Sequence, residues 1–180
     1  MTRAPAAPDS PPAIRFHSAA EATAALSLAG PAGVLLLSAP AAAAWPGAAT
    51  VAAMVARAVA AHPGVPHRAA LDCGTAPGLA LDALRQGWRL LVLDGAHPSF
   101  AQVAAAAAEA GATLLPAAPE ALDLTGLDLR KPGGRAILAC HLAPTSPAPS
   151  RAKQAGPHQT RTESAPNEQA GARDRTNALR

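Results

Sequence analysis

The sequence predicts an α/β fold made of parallel βα units, and three observations carry that prediction. Short apolar runs alternate with helix-length segments four times over. The runs are apolar almost throughout, as strands covered on both faces are, and do not alternate with polar residues. Their boundaries carry turn and capping residues suited to a strand-to-helix or helix-to-strand change.

The first strand is AIRF, 13–16, and Ser18 with Glu21 forms a capping box that opens a helix running to Gly30. GVLLLS, 33–38, is the second strand. The helix after it spans about Ala48 to Ala61, with Val51, Met54, Val55, Ala58 and Val59 on one face. RAALDC, 68–73, is the third strand. Its helix opens near Pro77, a good first-turn residue, and stops at Gly87. RLLVLD, 89–94, leads to a helix between Pro98 and Gly111, and ATLLP, 112–116, closes the series. Residues 117–142 read ambiguously: ALDLTGLDLRKPGG holds at most a helical turn and AILACHL has the look of a strand. Two arrangements fit these units. One is part of a TIM-type (βα) barrel, about half of one, and the other is an open doubly wound sheet.

Residues 13–142 are therefore expected to form the domain, behind a flexible Pro/Ala-rich lead-in (1–12). Of the 180 residues 51 are alanine, with two Phe, two Trp and no Tyr, so the core must rest on Leu and Val. The net charge of +3 lies wholly in residues 143–180, a polar segment expected to be a disordered basic tail. Its charges are spread out and no aromatic is present to stack on bases, so nucleic acid is not an expected partner. No uninterrupted apolar stretch reaches membrane-span length, and MTRAPAAPDSPPA has no apolar core of a signal peptide. Two cysteines make no disulfide framework. A cytoplasmic protein without a membrane partner is the expectation.

Functional groups collect at the carboxyl ends of strands in either arrangement. There the sequence places His17, Ser38, Asp72, Cys73, Asp94 and, three residues on, His97. Such residues also cap helices and close turns. Cys73 and the histidines could serve zinc, although none stands in a close ligand pair.

The stretch from Thr50 to Leu115 resembles the class II, metal-dependent fructose-bisphosphate aldolase family. The likeness rests on Ala70-Leu71-Asp72-Cys73-Gly74, Gln86-Gly87-Trp88, Leu93-Asp94-Gly95-Ala96 and Pro98-Ser99-Phe100 in that order, with LLLSAPAAAAWPG upstream. It covers about residues 18–116. The resemblance implies the first half of a (βα)8 barrel, with Asp72 matching a proton-transferring aspartate and Ser38 a sugar-phosphate contact. Asp94 is carried over as a second substrate contact. Cys73 stands where the family has its first zinc-ligating His. The family's later histidines and phosphate loop have no counterpart here, since residues 117–180 are too polar and Pro-rich for further βα units. The resemblance therefore implies a degenerate aldolase-like domain that binds a small phosphorylated ligand or assembles, without catalysis and without a cofactor. The alternative is a residual zinc-dependent lyase completed by a second subunit. Unpaired edges at Ala13–Phe16 and Ala112–Leu115, with an uncovered inner face, make a twofold homodimer the expected assembly.

Overall fold

A computed structural model describes residues 11–143. The expected lead-in, apart from Pro11 and Pro12, and the expected tail, apart from Ala143, lie outside the described residues. The chain runs β1 (Ala13–Phe16), α1 (Ala19–Leu28), β2 (Val34–Ser38), α2 (Ala48–Ala61), β3 (His67–Asp72) and α3 (Pro77–Arg85). It continues with β4 (Leu90–Val92), α4 (Phe100–Glu109), β5 (Thr113–Leu115), β6 (Leu122–Asp123) and α5 (Pro132–Leu142). All six strands are parallel, in the order β5-β4-β3-β2-β1-β6.

Register sets which side chains share a face. Ile14 pairs with Leu36, Leu36 with Ala69, and Leu71 with Leu91. These side chains meet Leu26 of α1, Val51 of α2, Ala80 of α3, Val103 of α4 and Leu138 of α5 in one core cluster. All five helices thus cover a single face. The opposite face carries a smaller cluster of Leu37, Ala70, Leu90 and Val92, roofed by Ala118 and Ala121 of the β5–β6 connection. A doubly wound sheet has helices on both faces, so that alternative does not describe this chain.

The interstrand turns are tight. Gly33 has φ +77°, and a Cβ there would stand 2.5 Å from the Pro66 carbonyl oxygen, so only glycine lets the start of β2 approach β3 this closely.

Three sequence expectations need correction. AILACHL is the body of α5 and not a strand. Pro132 starts that helix, and Leu138 and Leu142, four residues apart, turn one face inward. The Ala13–Phe16 strand is not an edge, because β6 pairs with it, Ile14 opposite Leu122 and Arg15 opposite Asp123. Nor is the inner face bare, since the β5–β6 connection packs on it. The edge strands of the sheet are β6 beside β1 and β5 at the opposite end.

The helical stretch Ala43–Ala61 is long and apolar enough to cross a membrane, by length and composition alone, with mean hydropathy 1.3. Here its helix is broken at Trp45, whose backbone is extended, and α2 packs against α1.

Candidate functional site

Chain order singles out one boundary in the sheet. From β1 the chain steps through β2, β3, β4 and β5 to one side, then returns past the inner face to lay β6 on the other side of β1. The strand order reverses there, so the carboxyl ends of β1 and β6 lie side by side. His17 follows β1 and Asp123 ends β6.

The two side chains meet. His17 Nε2 lies 2.9 Å from Asp123 Oδ1. The same oxygen accepts from the Thr125 amide at 2.9 Å and from the Thr125 hydroxyl at 2.8 Å. The Thr125 amide above all, with its hydroxyl and His17, holds the Asp123 carboxyl below its ordinary 3.8, outweighing the opposing effect of burial. Arg15, two residues before His17, brings Nη1 to 3.9 Å from Asp123 Oδ2, while its Nε is buried without a hydrogen-bond partner.

Local sequence holds His17 in place. Its amide donates to Glu21 Oε2 at 2.6 Å, and the Glu21 amide donates to Ser18 Oγ at 3.2 Å. The capping box read from the sequence is therefore present, with Glu21 reaching one residue further back than Ser18. The amino end of α1 is filled by the chain's own carboxylate.

Ser38 and Asp72 form a second, structural constellation at the ends of β2 and β3. The Asp72 amide donates to Ser38 Oγ at 2.9 Å, and Ser38 is buried. Asp72 Oδ1 accepts from the Gly74 amide at 2.8 Å and from the Ala41 amide at 3.1 Å. Asp72 is 7% exposed. Its carboxylate thereby pins the loop after β2 to the end of β3. Ala41 sits there with φ +51°, a left-handed backbone that alanine adopts at a cost of roughly 1–2 kcal/mol. Asp72 lies at the strand ends, as the sequence places it, and it staples two loops.

Cys73 points into the helix-side core and is 1% exposed. Burial, with the nearby Asp72 charge, pushes its thiol up to about 12, so the thiol is neutral at ordinary pH. Among the described residues no three His, Cys, Asp or Glu side chains come together as a metal site. The residues around Cys73 do not fit a zinc ion.

Asp94 and His97 serve their own loop. Asp94 Oδ1 accepts from the Ala96 amide at 3.0 Å, and His97 Nδ1 accepts from the Ser99 amide at 3.1 Å, just before α4. The structure thus brings Ser38 to Asp72, leaves Asp94 and His97 in a separate turn, and gives His17 a partner absent from the sequence reading. Asp123, Thr125 and Arg15 were missed. The one local signal for them is Asp123-Leu124-Thr125, a turn-forming Asp-x-Thr.

Chemically, the cluster offers an imidazole oriented by a carboxylate and a carboxylate with an oxygen facing a guanidinium. Such a set can donate to and accept from hydroxyl groups. No protein-family model matches the chain, and no curated protein is significantly similar to it.

Proposed function

We propose that this chain is a binding module on an aldolase-like half-barrel plan, without aldolase chemistry, whose ligand is a small sugar-like polyol seated in a crevice at the carboxyl ends of β1 and β6. The observation that carries this reading is the His17–Asp123 pair at the switch point. The half-barrel plan is supported by β1–β5 lying in chain order under helices on one face, as in an arc of a (βα) barrel. The absence of catalysis is supported by Asp72, whose Oδ1 holds two backbone amides, and by the neutral, buried Cys73 thiol.

A polyol suits the crevice better than a sugar phosphate. Glu21 and Asp123 are both close to His17, and the cation Arg15 already faces Asp123. Ser38 and Asp94, expected as substrate contacts, take no part: one is buried against the Asp72 amide and the other closes its own turn. Assembly belongs to the same reading. The twofold dimer is assigned to the patch around Trp45, which is 84% exposed beside exposed Ala41, Ala44 and Ala49.

The test is incubation of dihydroxyacetone phosphate with the full chain in D2O, with and without added zinc. No deuterium enters the substrate on this reading. Zinc-dependent incorporation, lost in Asp72→Asn, would replace it with the residual lyase.

A further inference from the structure

A cavity of about 750 Å³ lies on the helix side of the domain, where α1 is flanked by α2 and by α5 with its preceding loop. Arg57 of α2, Arg130 of that loop and Arg135 of α5 line it, with Thr23 and Ser27 of α1 and Leu129. Alanines of α1 complete its apolar wall.

The charge there is unbalanced. Residues 11–143 hold eight basic and eight acidic side chains, so the domain as a whole is neutral. Yet no carboxylate lines this cavity, and none of the three guanidiniums makes an ion pair with another described residue. The nearest acid in sequence, Asp128, is engaged by Lys131 at 3.6 Å and by the Arg130 amide at 3.1 Å. Like charges brought together without counter-charge cost free energy, unless an anion joins them. Both hydroxyls donate to carbonyls of their own helix, Thr23 to Ala19 and Ser27 to Ala24, so the donors the cavity offers an anion are the guanidinium N–H groups. Guanidinium groups bind phosphate through paired N–H donors, which a lysine cluster does not offer. The amino end of α5, Pro132-Gly133-Gly134, adds the positive end of its helix dipole beside Arg135.

We infer that this cavity binds a phosphate-bearing anion, through Arg57, Arg130 and Arg135. It is separate from the crevice at His17. The phosphate is either free or carried on a lipid headgroup, and two probes separate these sources. Pyrophosphate is titrated into the full chain by calorimetry, and co-sedimentation is measured with vesicles containing phosphatidylglycerol. Saturable pyrophosphate binding, weakened about tenfold in Arg57→Gln and in Arg135→Gln and by added salt, assigns a soluble ligand. Vesicle binding alone, lost in the same variants, assigns a headgroup. His17→Ala leaves either result unchanged, which keeps this site distinct from the crevice. The arginines are exposed, so these variants should melt as the parent does. Should one fail to fold, amide shifts of Thr23 and Ser27 on adding pyrophosphate to the parent protein decide instead. Unaltered binding in the triple Gln variant, unshifted Thr23 and Ser27 amides, or no saturable binding to either probe would overturn the inference.

Discussion

His17 and Asp123, 106 positions apart in the chain, meet at 2.9 Å across the boundary between β1 and β6. The contact joins the first strand to the last, so it reports on whether β6 is seated. It also sets a pH dependence. The folded-state pKa of Asp123 is depressed, chiefly by the Thr125 amide. Its contribution to stability is therefore fully present above the ordinary 3.8 and is lost as pH falls through the lower folded value. Asp123 is half-exposed, so solvent screening keeps that contribution small. Asp123→Asn should flatten the acid limb of a melting-temperature profile and leave neutral-pH stability within about 1 kcal/mol. An acid limb identical to that of the parent would show that the carboxylate is not held as described.

Asp72 is expected to tolerate Asn and not Ala. The amide oxygen of Asn can still accept from the Ala41 and Gly74 amides, so Asp72→Asn should cost within about 1 kcal/mol. Asp72→Ala leaves both amides without that acceptor and should cost about 2–4 kcal/mol. Denaturant titration of the two variants checks this, and equal midpoints would mean that the loop after β2 does not depend on the carboxylate.

Cys73 and Cys140 should differ sharply toward alkylation. Cys140 is exposed, whereas Cys73 is buried with its thiol pushed up to about 12. Iodoacetamide under native conditions is expected to label Cys140 alone, read by peptide mass. The raised thiol also has a stability consequence. Its contribution is complete below the ordinary value of 9.0 and is lost as pH rises through about 12. Cys73→Ala should remove that alkaline loss. Rapid native labelling of Cys73 would contradict its placement.

Much of the domain is legible in the sequence because its signals are local. Ser18 and Glu21 announce α1, Pro77 opens α3, and the Leu-rich runs mark β2, β3 and β4. β6 is not legible, because two residues, Leu122 and Asp123, have no pattern of their own and are strand only by pairing with β1. The His17–Asp123 pair is hidden for the same reason: His17 stands out in the sequence, but nothing local couples it to Asp123. AILACHL misleads because a short apolar run does not reveal its period, and Leu138 with Leu142 satisfies a helix as well. Asp72 and Ser38 were placed correctly at the strand ends. Their hydrogen bonds to each other's loops depend on a left-handed Ala41 that no residue type signals.

Trp45 is expected to carry the dimer. Light scattering on the eluting peak should give twice the 17.9 kDa chain mass, and Trp45→Ser should give a monomer with an unchanged melt. A parent protein that runs as a monomer at micromolar concentration removes assembly from the proposed function.

The most direct test of the crevice is an NMR titration that follows the His17 imidazole while ribose and dihydroxyacetone are added separately to the full chain. The expected result is a saturable shift of the His17 ring resonances with at least one of the two polyols, abolished in Asp123→Ala, whose fold is checked by its melt. Resonances of His17 that stay unmoved by either polyol, in a protein whose His17–Asp123 contact is intact, would contradict the proposed function.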